Sequence, residues 1–260
     1  MNDFKSAFDA QEYLESRWQI PGENEFRCFP YKILHEFFEE KRQALEPGAD
    51  YKVLDFGSGP VVAYVVSAAT IATEIAFADI SDKNQRAIQH WIDKDESAWD
   101  WLPHIAYIVE SIEGKSAEEA VEREKQLRKV IKGVVPCDVM SDEQLIRKGY
   151  EGPYDAVYCF FVLAGAASTA EEYKAAMKRV SSLIKKGGSL LLYASVINDT
   201  SKPGFYSVGS VKFSTVPTPL DFILVTAKEA GIGNITTKIC KNVEPPTMDE
   251  AAFIIGTKMM

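Results

Sequence analysis

The sequence predicts an α/β fold in which helices cover a mostly parallel β-sheet. From residue 52 onward, short apolar runs rich in β-branched and aromatic residues alternate with helical stretches, which is the order of elements in parallel sheets. Near the end of the chain, two such runs follow one another with no room for a helical crossover, so they can pair only as an antiparallel hairpin. We therefore expect a sheet that is parallel over most of its width and antiparallel at its last strands.

The N-terminal fifty residues predict two helices that cover the sheet. In the second, large apolar side chains recur at helical spacing from Tyr31 to Leu45, and Pro47 and Gly48 end the helix. The charged stretch 113–132 carries only a thin apolar stripe, which is typical of a helix with a solvated face. The remaining predicted elements are strand 52–56, helix 60–71, strand 74–80, helix 82–93, strands 104–110, 134–139 and 154–162, helix 170–185, strand 189–196, helix 220–230, strand 235–243, a turn at 244–247 and strand 251–258.

Composition and charge argue against several classes of partner. The 260 residues include 38 acidic and 29 basic side chains, a net charge of -9 that would repel a phosphate backbone, so we expect no nucleic-acid partner. No apolar stretch approaches the roughly 20 residues of a membrane-spanning helix, and the N-terminus lacks the apolar core of a secretory signal. We expect a cytoplasmic protein without membrane contact. Neither the four cysteines nor the three histidines have the spacing of metal ligands.

The most informative segment is the turn after the first predicted strand. Gly57 and Gly59 let the chain leave the strand tightly and let a ligand approach the backbone, and Pro60 suits the first turn of a helix. Such a turn lies at the carboxyl end of a parallel strand, where open α/β sheets bind their ligands. Asp79 ends the next strand, where its carboxylate can accept hydrogen bonds from both hydroxyls of a ribose.

A nicotinamide dinucleotide is one of two classes of ligand that suit this geometry, and two observations bear on it. A dinucleotide-binding turn carries a third glycine, but this sequence has Val62 at that position. In addition, no tyrosine is followed four residues later by a lysine, the pair typical of short-chain dehydrogenases. Both observations weaken the dinucleotide interpretation.

Six motifs spread over most of the chain form one pattern. In chain order they are Asp55-Phe-Gly-Ser-Gly-Pro60, Asp79-Ile-Ser-Asp-Lys-Asn84, the tryptophans of Trp91 and Trp99-Asp-Trp101, Cys137-Asp-Val139, Lys186-Gly-Gly188 and Lys212-Phe-Ser214. The pattern resembles the small-molecule amine N-methyltransferase family, which contains the nicotinamide, phenylethanolamine and indolethylamine enzymes. The resemblance implies class I methyl transfer from S-adenosylmethionine, with S-adenosylhomocysteine as the product.

The resemblance also implies an architecture. We expect a Rossmann-like class I methyltransferase fold with a seven-stranded, mostly parallel sheet, a terminal antiparallel hairpin and an N-terminal helical cover. Residues 1–260 would form one domain, in which 1–50 are the helical lid and 51–260 the core. We expect a monomer that acts on a small-molecule acceptor.

Carried over residue by residue, the resemblance implies a cofactor site. Gly57 and Gly59 would contact the methionine part, Asp79 the ribose, and Asp138 with the backbone of Val139 the adenine. The full set of implied cofactor contacts is Tyr13, Trp18, Gly57, Ser58, Gly59, Asp79, Ile80, Asn84, Asp138, Val139 and Phe160. Of these, Tyr13 and Trp18 match the paired aromatic residues that close over cofactor and acceptor in the family.

The acceptor site departs from the family pattern. Ala194 occupies the position at the end of the fifth strand where the family usually has a carboxylate, and Asp199 could replace it if loop 198–203 folds inward. Ala63 stands where an aromatic residue often lies beside the cofactor tail. No catalytic residue or metal ligand is assigned, and the candidate pocket residues are Tyr206, Thr215, Asp199, Phe161 and Ser195.

These departures leave alternatives open. The apolar pair Phe160 and Phe161 predicts a flat, neutral or weakly basic aromatic heterocycle or an arylalkylamine as acceptor. One alternative is O-methylation of a small phenol, although the acidic metal ligands that would favour it are not evident. Another is a catalytically degenerate homologue that binds the cofactor or a metabolite without turnover.

Overall fold

The strands form one large sheet and one small hairpin. The computed structural model describes residues 4–259 except 142, 144, 202–203, 242 and 244–247, so the predicted turn at 244–247 lies outside the described residues. The strands are β1 (Lys52–Phe56), β2 (Glu74–Asp79), β3 (Ile131–Pro136), β4 (Tyr154–Phe160), β5 (Ile184–Val196), β6 (Gly204–Val208), β7 (Val211–Thr215), β8 (Ile232–Cys240) and β9 (Glu250–Lys258).

The large sheet has the predicted form. Among the described residues it contains seven strands in the order β3-β2-β1-β4-β5-β9-β8. β1 pairs in parallel with β2 and β4, β2 with β3, and β4 with β5, whereas β9 is antiparallel to both β5 and β8. The terminal antiparallel hairpin is therefore confirmed.

Helices cover both faces of the sheet. They are α1 (Phe4–Ala7), α2 (Ala10–Arg17), α3 (Glu25–Ala44), α4 (Asp82–Asp93), α5 (Leu102–Ala106), α6 (Ala117–Val130), α7 (Leu163–Ala166), α8 (Ala170–Ser182) and α9 (Leu220–Glu229), with 3₁₀ turns at Ala63–Val65 and Ala68–Thr70 and a π-helical turn at Tyr107–Ile112. Within the described ranges, no helix is both long and apolar enough to cross a membrane.

Alternating side chains of the strands enter two separate cores. Val53 of β1 packs in the core that also contains Phe38 of α3, whereas the next residue, Leu54, packs in the core that contains Met177 of α8. This alternation follows from the two-residue period of a strand, and it fixes the faces that helices must cover. The sheet is thus buried on both sides, and its carboxyl edge is left for a ligand.

The predicted strand 104–110 is wrong. The segment is helical, and Pro103 lies in the first turn of α5, a position where its missing N–H costs little. Ile105, Ile108 and Val109 are at most 1% exposed. Because they are three and four residues apart, they share one face of a helix. A short apolar run of this kind has too few residues for its hydrophobic periodicity to distinguish a strand from a buried helix.

The predicted helix 60–71 is also wrong, since the segment forms the two short 3₁₀ turns. Val61, Val62, Val65 and Val66 are at most 3% exposed. β-branched side chains lose rotamer freedom in an α-helix, which leaves tertiary packing to set the backbone of this stretch.

The helices α1 and α2 lie over the carboxyl edge and contact the hairpin β6-β7, which the sequence did not predict. The rings of Phe4 and Phe213 stack with centroids 4.6 Å apart. Arg17 Nη2 donates a hydrogen bond of 2.7 Å to the carbonyl oxygen of Ser207. These contacts join the N-terminal helices to the hairpin and close a cavity beneath them.

Candidate functional site

A cavity of about 470 Å³ lies at the carboxyl edge of the sheet, beneath α1, α2 and the hairpin. Most of the site residues predicted from sequence line this one space, namely Tyr13, Gly57, Ser58, Gly59, Asp79, Ile80, Asn84, Asp138, Val139, Phe160, Phe161, Ser195, Tyr206 and Thr215. The residues at the strand ends meet here because the parallel strands end at the same edge, whereas Tyr13, Tyr206 and Thr215 reach the cavity from the helix and hairpin that lie over that edge.

The two glycines after β1 serve different purposes. Gly57 has a φ of 73°, and a Cβ at this position would lie 2.2 Å from Cγ2 of Val162. Gly59 has a φ of 59°, but a Cβ there would meet no atom within 4 Å. Gly57 is therefore required by packing within the protein. Gly59 leaves an open cradle at the cavity wall, which a ligand can occupy.

Asp79 is held rigidly at the end of β2. One carboxylate oxygen, Oδ2, accepts a hydrogen bond of 2.8 Å from the Gly59 amide. The other, Oδ1, accepts bonds of 2.9 Å from the Ser81 amide and 2.9 Å from Asn84 Nδ2. Burial raises the pKa of this carboxyl, and the three donors oppose that rise. The glycine turn and the carboxylate are thus built as one unit.

Asp55 is a second buried carboxyl in the cavity wall. Its side chain is 3% exposed, and Oδ2 has no hydrogen-bond partner within the described part of the chain. Burial, reinforced by the nearby charge of Asp79, raises the pKa of Asp55 to about 8. Two like charges in a dry site are unfavourable, so a cationic ligand group would stabilise this pair.

The end of β3 supplies the third carboxylate. The Cys137 amide donates a hydrogen bond of 3.2 Å to the carbonyl oxygen of Asp79, which ties the end of β3 to that of β2. Asp138 Oδ1 accepts a bond of 2.8 Å from the Met140 amide. Asp138, Asp79 and Asp55 therefore follow one another along the edge in the order of the strands β3, β2 and β1.

The opposite part of the cavity is aromatic. The ring of Phe161 lies 5.2 Å from that of Phe26 and 4.6 Å from that of Tyr193, measured between centroids. Phe161 has a φ of 59°, and its amide donates a 2.8 Å hydrogen bond to the Tyr193 carbonyl oxygen. A left-handed non-glycine residue is strained and is common at ligand sites. Phe205 and Tyr206 complete this aromatic wall.

Two predicted site residues lie elsewhere. Trp18 is 2% exposed and packs against Trp101, with ring centroids 5.3 Å apart, outside the cavity lining. Asp199 is exposed, and its Oδ1 accepts a 3.0 Å hydrogen bond from the Ser201 amide. Residues 202–203 of its loop lie outside the described residues. Ala194 packs in the core on the sheet face opposite Tyr193, so Ser195 is the cavity residue of this strand.

Sequence reasoning missed several residues of the lining. Ala63 is buried, but its neighbour Tyr64 supplies an aromatic ring to the cavity. Arg17 and Arg27 also line it, although arginines on amphipathic helices ordinarily indicate a solvated face. Other lining residues without a local sequence signal include Phe4, Phe8, Phe26, Met140, Phe205 and Met248. They reach the site only through tertiary packing.

Comparison with known proteins agrees with this geometry. The model of the NNMT/PNMT/TEMT family matches residues 1–255. The chain belongs to this family. It is 30% identical over 229 residues to nicotinamide N-methyltransferase of Homo sapiens, with 88% of this chain and 83% of that protein covered. Indolethylamine N-methyltransferase of Oryctolagus cuniculus is 27% identical over 236 residues, with coverage of 88% and 84%.

A solved structure supports the fold independently of sequence. Magnesium protoporphyrin IX methyltransferase from Synechocystis PCC 6803 with bound S-adenosylhomocysteine matches with a TM-score of 0.56 at 14% identity, covering 98% of this chain and 96% of that chain. This match confirms the class I methyltransferase fold predicted from sequence, and the family match confirms the predicted enzyme class and cofactor. Across the described residues, no group of three or more His, Cys, Asp or Glu side chains could hold a metal ion.

Alanine at the two glycines should have separable effects. Gly57→Ala should lower the free energy of unfolding by about 3 kcal/mol, because overpacking against Val162 adds to the cost of a left-handed alanine. Gly59→Ala should lower it by only about 1 kcal/mol but weaken S-adenosylhomocysteine binding about tenfold or more, because its Cβ enters the cradle. Urea denaturation and isothermal titration calorimetry would measure both, and equal effects at both positions would contradict this assignment.

Proposed function

We propose that this chain transfers a methyl group from S-adenosylmethionine to the nitrogen of a small, neutral, heteroaromatic acceptor. The proposal rests on the division of the cavity into a part lined by carboxylates and a part lined by aromatic rings and hydroxyl groups. Three carboxylates stand at the ends of β1, β2 and β3, whereas aromatic rings and hydroxyl groups line the part next to β4, β5 and the hairpin. A polar, cationic ligand fits the part with the carboxylates, and a flat, apolar ligand fits the aromatic part.

The residues present suit the cofactor. Gly59 leaves an open cradle beside the glycine turn, and Asp55 Oδ2 is a buried acceptor without a partner among the described residues. We propose that Asp79, which the Gly59 amide holds in place, accepts hydrogen bonds from the ribose hydroxyls, and that Asp138, held by the Met140 amide, accepts from the exocyclic amine of adenine. We propose that Tyr13, Ser58, Ile80, Asn84, Val139 and Phe160 form the rest of this half, as the family pattern implies.

The acceptor half favours an uncharged nitrogen. Its polar side chains include the hydroxyls of Ser195, Thr215 and Tyr206, and the acidic residues of the described lining all stand at the ends of β1 to β3. An alkylammonium would lose its hydration there without gaining a counter-charge, which is unfavourable in an apolar site. A heteroaromatic nitrogen is neutral and keeps its lone pair available, and its ring can stack on Phe161.

The cavity would promote methyl transfer by aligning the acceptor nitrogen with the methyl carbon of the cofactor. S-adenosylmethionine supplies an electrophilic methyl carbon on a sulfonium, and the departing thioether is neutral, so the protein need not donate a proton to it. The aromatic wall would hold the acceptor nitrogen in line with this carbon and about 3 Å from it. Phe4 of α1 and Phe8, which lies between α1 and α2, line the cavity and would exclude water from the nucleophile.

A carboxylate placed in the acceptor half should change the choice of acceptor. Ser195→Asp should raise kcat/KM for phenylethylamine relative to pyridine-3-carboxamide about tenfold or more, because it gives the ammonium a counter-charge. Ser195→Asn is the matched control of equal size and should leave the ratio near its starting value. Both acceptors would be assayed by mass spectrometry of the methylated product.

Three results would contradict the proposal. They are turnover confined to phenols, an equal shift of the ratio in both Ser195 variants, and binding of S-adenosylmethionine without transfer to any nitrogen acceptor.

We further propose that residues 1–260 act as one methyltransferase domain, that the enzyme is cytoplasmic, and that it works as a monomer without nucleic acid. Gel filtration with light scattering would test the oligomeric state.

A further inference from the structure

We propose that Arg27 and Asp55 form a charged subsite for the amino-acid end of the cofactor, in which Arg27 binds the carboxylate and Asp55 the ammonium. The assignment rests on the proposed function, since it concerns the same cofactor. It adds two residues to the set of cofactor contacts that the resemblance implies, and it gives each a role.

The order of the strands indicates where the amino-acid end of the cofactor would lie. Asp138, Asp79 and Asp55 lie at or near the ends of β3, β2 and β1, which are neighbours in the sheet. If adenine lies at Asp138 and the ribose at Asp79, the chain of atoms beyond the ribose extends over β1. Asp55 is the carboxyl that this direction reaches next, and it is 3% exposed with no hydrogen-bond partner for Oδ2 among the described residues.

Arg27 is a buried cation in the lining of the cavity. It lies in the first turns of α3, is 8% exposed and lines the cavity. A buried guanidinium needs acceptors, and its five N–H donors allow it to serve more than one at a time. Arg–carboxylate pairs can form two parallel hydrogen bonds, which fix the orientation of the bound group.

Tyr64 relates the two charged residues to each other. It lines the cavity just after the glycine turn, and its ring centroid is 5.0 Å from that of Phe160. Burial raises the pKa of its hydroxyl, the Arg27 charge opposes this rise, and the Asp55 charge adds to it. The ring of Tyr31, one turn after Arg27 on α3, lies 5.8 Å from that of Tyr64 between centroids, so the start of α3 packs against the segment that follows the glycine turn. A zwitterion that pairs its two charges with Arg27 and Asp55 would lie beside the Tyr64 ring.

The departures of this chain from its family are consistent with the subsite. The family pattern implies an aromatic residue beside the cofactor tail at position 63 and one that closes over cofactor and acceptor at position 18, but Trp18 packs outside the cavity and Ala63 is buried without lining it. Two aromatic side chains that the family pattern implies are thus absent from the cavity wall. Arg27 and Tyr64 are in the lining.

Three ligands that differ only at the amino-acid end would test the subsite by calorimetry. S-adenosylhomocysteine has both charged groups, its decarboxylated analogue keeps only the ammonium, and 5′-methylthioadenosine has neither. Arg27→Gln should weaken S-adenosylhomocysteine about tenfold or more and leave the other two within about twofold. Asp55→Asn should weaken the first two ligands and spare 5′-methylthioadenosine, whose affinity also shows that each variant is folded.

Controls separate this subsite from the function on which it rests. Arg86→Gln removes the same charge from an exposed face of α4 and should change none of the three affinities, and Arg27→Lys should retain more S-adenosylhomocysteine affinity than Arg27→Gln. Equal losses for all three ligands in Arg27→Gln, or no loss for any, would overturn the subsite. A wild-type chain that binds none of the three would instead overturn the proposed function.

Discussion

Replacing Asp79 with asparagine should weaken S-adenosylhomocysteine binding about 100-fold while the protein stays folded. The carboxylate would accept two charge-assisted hydrogen bonds from the ribose, each contributing about 1.5 kcal/mol or more, and about 2.7 kcal/mol corresponds to a factor of 100. Asparagine keeps an oxygen for the backbone donors of Gly59 or Ser81. The loss should extend equally to 5′-methylthioadenosine, because that ligand keeps the ribose.

Calorimetry on the purified variant would measure this loss. Asp50→Asn, on an exposed residue before β1, is the control for the change of charge and should bind as the wild type does. Unchanged affinity in Asp79→Asn would remove this residue from the ribose site. A loss restricted to S-adenosylhomocysteine would place Asp79 at the amino-acid end and contradict the order of groups along the sheet edge.

Asp55→Asn should stabilise the ligand-free protein, and the gain should grow with pH. The pKa of Asp55 is about 8 in the folded protein, while that of an unfolded aspartate is about 3.9. Between these values the folded state keeps a proton that the unfolded state releases, so the stability of the wild type falls as pH rises from about 4 to about 8. One pKa unit corresponds to about 1.4 kcal/mol, and the total is on the order of 5 kcal/mol.

Urea denaturation from pH 5 to pH 9 would test this sign. The free energy of unfolding of Asp55→Asn should exceed that of the wild type by an amount that increases up to about pH 8 and is constant above it. A difference that does not depend on pH would contradict the raised pKa. The pKa of Asp79 is raised as well, so the variant retains part of the decline.

Asp55 would then lower the stability of the ligand-free protein and strengthen the binding of the cofactor. The same substitution that stabilises the free protein should weaken the cofactor, because it removes the carboxylate proposed for the ammonium. Residues selected for ligand binding often have this property, since their charge is compensated only in the complex. The two measurements on one variant would distinguish such a residue from a structural aspartate, whose loss would destabilise the protein.

The sequence predicts the central strands and the cofactor edge well, for physical reasons that act locally. β1 and β2 are short β-rich apolar runs, bounded by a glycine turn and by the N-cap of α4. Gly57 and Asp79 mark the ends of these strands, and parallel strands must bring such residues to one edge. Both the presence and the neighbourhood of these side chains therefore follow from the order of residues along the chain.

The rest depends on contacts between distant segments. Ala63 and Val65 adopt their 3₁₀ conformation because of the core around them, and Ile105 is helical although its segment could equally form a strand. Phe8 and Arg27 line the cavity only because the N-terminal helices pack across the sheet edge. No spacing within a helix shows which of its arginines will be enclosed.

The central claim is that an adenosyl cofactor binds at the carboxyl edge with its ribose on Asp79. A crystal structure of the chain with S-adenosylhomocysteine tests it most directly. We expect both ribose hydroxyls within hydrogen-bond distance of the Asp79 carboxylate and the sulfur facing Phe161. S-adenosylhomocysteine bound at another place, or a nicotinamide dinucleotide retained in this cavity, would contradict the claim.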